Sequence, residues 1–156
     1  MAISAFLHLE GQMQGNIKGG VTQKGREGLI EVTSWSWGAE RDSENGVPTG
    51  TARISEFHLT KERDVATPKL MNAFANNEAL TEWQLDLYDP GFSGVETKTA
   101  EITLTGVRLA SIRGAGMITN TNPPPDHDEL TFVFQKIEFE WLNGGILGVI
   151  EADSAP

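Results

Sequence analysis

Three histidines, His8, His58 and His127, and no cysteine set the limits of what this chain can do chemically. The histidine separations match no zinc-binding spacing, and without thiols there is neither a disulfide framework nor a sulfur nucleophile. Two groups of carboxylates are candidates for chemistry. Asp126-His127-Asp128-Glu129 offers hard ligands in series, but four polar residues directly after Pro123-Pro124-Pro125 read as a solvated loop. Glu138 and Glu140 share one strand parity and could imitate a glycosidase pair. Beside Lys136 they read more simply as the outer face of a strand. Ser34 and Ser36 sit inside a strand pattern, not on the strand-to-helix elbow that exposes a serine nucleophile. His8 falls on the polar side of its strand and reads as a surface histidine. No catalytic, cofactor or metal-binding residue is assigned, and the expectation is a protein that is not an enzyme.

The elements that position these residues are mostly strands. The central stretch is Leu29-Ile30-Glu31-Val32-Thr33-Ser34-Trp35-Ser36-Trp37-Gly38. Side chains two apart in a strand point the same way, so Trp35 and Trp37 share a face, and two indoles need either a core or a neighbouring subunit. The core is the expected place for both. Ile3, Ala5, Leu7 and Leu9 alternate with Ser4, His8 and Glu10 as a first strand, and Phe6 implies partial cover on its second face. Residues 11–28 read as a glycine-rich connection. Residues 39–50 read as a polar loop, with Asn45-Gly46 as a strong turn signal and Pro48 barring a central strand. Arg53 to Thr60 reads as one strand.

A helix is expected over residues 67–77, with Thr67 as N-cap, Pro68 at the first helical position, and Leu70, Ala73 and Phe74 as its apolar stripe. Glu82 to Asp89 alternates, with Trp83, Leu85 and Leu87 inward and Glu82, Gln84 and Asp86 outward. Parity changes at Gly106 and again near Gln135-Lys136, which suggests strands bent between two sheets; Ile137, Phe139 and Trp141 follow the second change on one face. Residues 120–128 read as a loop and Ile146 to Ile150 as a last strand. With about eight strands and one helix, residues 1–156 read as a single mainly β domain: a small two-sheet barrel with a flanking helix.

Formal net charge is −10. Residues 1–69 carry −1, from 8 Lys/Arg and 9 Asp/Glu; residues 70–156 carry −9, from 4 and 13. That sign argues against nucleic acid as a partner. No apolar run reaches the length of a membrane span, and residues 1–4 lack the basic start of a signal peptide, so membrane insertion is not expected.

Four blocks resemble the haemolysin-coregulated protein (Hcp) family, the tube proteins of bacterial type VI secretion. They are the Trp stretch 29–38; Phe57-His58-Leu59-Thr60-Lys61-Glu62-Arg63-Asp64-Val65-Ala66-Thr67-Pro68-Lys69-Leu70; Ile102-Thr103-Leu104-Thr105-Gly106-Val107-Arg108-Leu109; and Leu130 to Trp141. The step from Lys61 and Asp64 into Pro68 and Leu70 is the most particular. The resemblance implies a hexameric ring of barrels. Such rings stack into the inner tube of a contractile sheath, with a spike protein at the tip and small effectors in the lumen. It also implies assembly in the cytoplasm followed by secretion without a signal peptide. On the same basis, Glu40, Arg41, Asp42, Ser43, Glu44, Asn45, Gly46 and Val47 form the expected ring-contact loop. Trp35, Trp37, Gly38, Lys61, Asp64, Pro68 and Leu70 are expected at the core or an interface. A phage-like tail-tube subunit, and more distantly a secreted carbohydrate-active enzyme using Glu138 and Glu140, are the alternatives.

Overall fold

The computed structural model describes residues 4–91, 94–116, 118 and 126–152. Over that range the chain forms twelve strands and one helix, in the order β1 (Ser4–Gly11), β2 (Gly15–Asn16), β3 (Ile30–Ser36), β4 (Ala39–Glu44), β5 (Val47–Ile54), β6 (Phe57–Glu62), α1 (Ala66–Ala75), β7 (Leu80–Pro90), β8 (Glu96–Thr105), β9 (Arg108–Ala115), β10 (His127–Val133), β11 (Lys136–Trp141) and β12 (Ile146–Glu151). The extra strands are the short β2, a hairpin, and the halves into which the two expected bent strands divide, β8 with β9 and β10 with β11. The expected polar loop is itself the hairpin β4–β5, and the expected strand 53–60 is broken at Ser55-Glu56 into the end of β5 and the start of β6. The triple proline lies outside the described residues, but His127 and Asp128, expected in its loop, belong to β10.

Ten strands form one sheet in the order β12-β11-β8-β7-β1-β3-β6-β10-β9, with β2 added beside β1; β4 and β5 pair with each other as a second sheet. The large sheet curls over. From β7 to β10 is four strand steps, about 19 Å on a flat sheet. Yet the Trp83 ring on β7 lies 5.7 Å from Phe132 on β10 and 4.8 Å from Phe57 on β6, both edge-on. A bridge from Leu80 to Val107 joins the start of β7 to the turn before β9, which draws the two halves of the sheet together. The enclosed core includes Leu7, Leu9, Ile30, Phe57, Trp83, Leu85, Ile102 and Phe132.

Both parity changes are corners. Gly106, at φ +69°, ends β8, which pairs with β7 and β11, and releases the chain into β9, which pairs with β10. Gln135 does the same between β10 and β11. The two corners lie against each other: a Cβ on Gly106 would come within 2.8 Å of the Gln135 side chain, and the Gln135 amide donates to Thr105 O at 2.9 Å. A side chain at 106 would face both a left-handed backbone and a collision.

Phe6 is buried on the outer side of β1, where Tyr88 meets it edge-on and the Arg26 guanidinium lies over both rings. The cover expected for that face therefore comes from the glycine-rich connection, which also buries Ile17. Three expectations are corrected. Phe74 is exposed on α1, whose buried residues are Ala66, Leu70 and Ala73. Asp86 lies on the outer face, across from Phe6, but is buried there. Thr67 is not the N-cap. The helix starts one residue earlier, the Ala66 amide donates to Asp64 Oδ1, and Pro68 is the third helical residue, where its missing N–H is still harmless.

One carboxylate anchors the β1–β2 turn to the end of the helix. Glu78 accepts from the Met13 and Gln14 amides at 2.9 Å each and from the Gln14 side chain at 3.0 Å. Burial pushes its pKa up, but the Gln14 and Met13 donors outweigh this and hold it below the usual range. A carboxyl depressed by folding adds stability above its unfolded pKa and loses it as pH falls through the folded value. Glu78→Gln should therefore destabilise at neutral pH and show a shallower acid limb in unfolding midpoint against pH; an acid limb unchanged from wild type would contradict this.

Candidate assembly surfaces and their buried anchor

Period-two alternation along β6 places Phe57, Leu59 and Lys61 inward. A lysine on that face needs counter-charges, and it has them. Lys61 is fully buried, and its Nζ donates to Asp128 Oδ2 at 2.8 Å, Asp64 Oδ1 at 2.9 Å and the Glu62 carbonyl at 2.9 Å, with Thr67 Oγ1 at 3.2 Å. Thr67 in turn donates to Asp128 at 2.6 Å and accepts from the Asp64 amide. Asp64 Oδ2 also accepts from the Gly20 amide at 3.3 Å. One ammonium thus ties together β6, β10, the start of α1 and the glycine-rich connection. The Lys61 and Asp64 of the sequence motif meet here. Thr67 and Asp128 complete the set and were not assigned this role from sequence. Leu70 seats the helix from the same end, fully buried, while Pro68 is exposed.

Alternation also explains why 126–129 holds no ligand cluster. Asp128 points inward, directly opposite Lys61 in the β6–β10 register. His127 and Glu129 point outward, 3.7 Å apart, and Asp126 pairs with Arg63 at 3.0 Å. Glu138 lies on the outer face of β11 and pairs with Lys136 at 2.7 Å. The ion pair with Glu138 raises the Lys136 pKa. Glu140 sits across from Glu101.

The two indoles lie at the rim of the core rather than in its middle. A register shift between Val32 and Ser34 changes parity along β3, and Trp35 then stacks on Phe57 at 6.1 Å. Trp37 follows the end of β3; both rings are half-buried against the core. Gly38 accepts from the Ser55 amide at 2.7 Å, closing the root of the hairpin. Beyond that root β4 and β5 project with most residues exposed. Asn45 and Gly46 turn the hairpin with φ of +53° and +80°, the signature of a type I′ turn. Arg53 holds Asp42 at 2.8 Å and Glu40 at 3.4 Å, and Arg41 donates to the Gly50 carbonyl at 3.3 Å. Arg41, Ala39, Glu40 and Ala52 line a shallow groove of about 300 Å³ with Val149 and Ile150 of β12.

The large sheet has two unlike edges. On β12, Ile146, Leu147 and Val149 are 66%, 54% and 47% exposed, and Trp141 beside them on β11 is 45% exposed. The other edge, β9, carries Arg108 and Arg113.

Breaking a buried ion pair by removing one partner costs about 3–5 kcal/mol. Lys61→Met leaves Asp128 and Asp64 without their cation. Its thermal midpoint should fall by roughly 6–20 °C, at the 2–4 °C per kcal/mol expected for a domain of this size. A midpoint within 2 °C of wild type in calorimetry would show that the network contributes little.

The family described as "Type VI secretion system effector, Hcp" matches residues 6–141. A search of curated proteins by sequence found no match. Among solved structures, one titled "Crystal structure of Hcp protein" superposes with a TM-score of 0.87 at 20% identity, covering 96% of this chain and 97% of that one. A variant of Hcp1 from E. coli EAEC 042 gives 0.82 at 24% identity, covering 96% and 99%. The secreted protein Hcp3 from Pseudomonas aeruginosa gives 0.77 at 20%, covering 95% and 99%. At these identities the structures establish the fold, and the family match carries the rest: the chain belongs to the Hcp family and is a tube subunit of type VI secretion.

Proposed function

We propose that this chain closes into a homohexameric ring and that the rings stack through the β4–β5 hairpin. The observation that carries the reading is the pair of unlike open edges. A ring needs a head-to-tail interface in which two different surfaces of one subunit meet. An exposed apolar edge strand is an aggregation hazard unless something covers it. The β12 edge, with Ile146, Leu147, Val149 and Trp141, is such a surface, and the next subunit is its cover. The hairpin is held at its root by Gly38 and Ser55 and stiffened by Arg53, so it reaches outward as a unit. Glu40, Arg41, Asp42, Ser43, Glu44, Asn45, Gly46 and Val47 supply mixed charge at its tip, suited to register more than to raw affinity. The half-buried Trp35 and Trp37 fix the strand from which it springs. In this reading α1 faces outward toward a contractile sheath, a spike protein caps the tube, and small effectors travel in the lumen. The chain then assembles in the cytoplasm and is secreted. Its role is structural rather than catalytic; among the described residues no helix is long and apolar enough to cross a membrane.

Light scattering of the full chain should give about six times the mass of the monomer; a strictly monomeric mass at high concentration overturns the ring. Deleting Glu44 to Val47 should leave circular dichroism and ring mass unchanged while reducing ring stacking under the electron microscope. An unfolded deletion variant would mean that the hairpin belongs to the core.

A further inference from the structure

Outside the buried network and the sheet edges, one group of ligating side chains is unexplained by the tube reading. His8 and Glu10 stand two residues apart on the outer face of β1, and Glu82 lies directly across from Glu10 on β7. One ligand atom from each comes within 4.8 Å of the others, and His8 Nδ1 lies 3.1 Å from Glu82 Oε1. On the inner face of the same two strands, the Leu9–Trp83 pair is fully buried. The backbone under the three ligands is therefore held rigidly by the core.

The electrostatics are unfinished. Like charges directly opposite each other on paired strands repel. Among the described residues the Glu10 carboxylate makes no hydrogen bond or ion pair, and Glu82 has His8 alone. The nearby cation, Lys98, is already engaged with Glu101 at 2.6 Å and Asp86 at 3.8 Å. A divalent cation would convert the opposed carboxylates from a liability into a chelate. The imidazole selects which cation: nitrogen with carboxylate oxygens suits zinc, whereas magnesium and calcium take oxygen alone.

We propose that His8, Glu10 and Glu82 form a zinc site on the outer face of the β1–β7 pair. Tetrahedral ligands at 2.0–2.2 Å from zinc stand about 3.3–3.6 Å apart; His8 and Glu82, at 3.1 Å, are already close to that, and the remaining separations, within 4.8 Å, must close by at most about 1.5 Å. Their partial exposure leaves them the freedom to do so. The three supply one nitrogen and two oxygens, which leaves the fourth tetrahedral position to water.

The test is calorimetric titration of the chelator-treated full chain with zinc chloride. The expected result is one zinc per chain, no heat with magnesium at the same concentration, and a raised thermal midpoint on saturation. His8→Ala and Glu82→Gln should each weaken binding on the order of tenfold or more, since each removes one of three protein ligands. His127→Ala, at the His127–Glu129 pair, should leave it unchanged. All the altered side chains are on outer faces, and circular dichroism confirms that each variant is folded. If wild type takes up no zinc, if magnesium competes equally, or if binding survives both His8→Ala and Glu82→Gln but is lost in His127→Ala, the site is not there.

Discussion

The ammonium of Lys61 is the constraint around which the rest of the structure is arranged. A charge with no solvent contact persists only where its hydrogen bonds are filled by groups that stay in place. Here those groups come from two parts of the chain far apart in sequence: Asp128 from β10, and the Glu62 carbonyl, Asp64 and Thr67 from the segment leading into α1. Moving any one of these elements leaves a buried charge unpartnered. The network therefore fixes where the helix sits on the sheet with a specificity that apolar packing of Leu70 and Ala73 alone would not supply.

That fixed frame lets a single sheet behave as two. The large sheet has no break in its hydrogen-bonded order, yet Trp83 touches rings from strands that a flat sheet would hold far away. The change of direction is concentrated at two adjoining corners, Gly106 and Gln135. Glycine at the first supplies a backbone that other residues avoid, and its bare Cα leaves room for the second. The hairpin is outside this enclosure. Its strands share hydrogen bonds with each other, so its cohesion rests on the Asn45-Gly46 turn and on Arg53 bridging two carboxylates.

Much of this was legible in the residues. Alternation found the inward faces of β7, β8 and β10, and the parity breaks marked both corners, because a buried face leaves an unambiguous period-two record. The hairpin was read as a loop because polarity alone was weighed. Two strands exposed on both faces alternate nothing, and the Asn-Gly signal was their sole trace. For Trp141 and the β12 residues the pattern gave strands but not their cover, because hydrophobic identity does not say whether the cover comes from the same chain or another. Thr67 had the right chemistry for an N-cap but spends its hydroxyl on Asp128. Asp128 could not be assigned from sequence, since its meaning depends on a lysine 67 positions away. The opposed carboxylates of Glu10 and Glu82 were hidden in the same way, by a register that no local pattern reveals.

The strand order also says something about how such a chain comes into being. β1, the earliest of the described strands in the chain, ends up inside the sheet, between β3 and β7. Its long partnership with β7 pairs Ser4 with Tyr88, and β8 finds its far neighbour only when β11 exists. A nascent chain emerging from the ribosome cannot complete this enclosure until β10 and β11, late in the chain, are available. Topologies of this kind fold on the order of milliseconds to seconds, and in that interval the apolar edges are bare. Until the next subunit of the proposed ring covers them, the surplus of negative charge in residues 70–156 opposes their association with other copies.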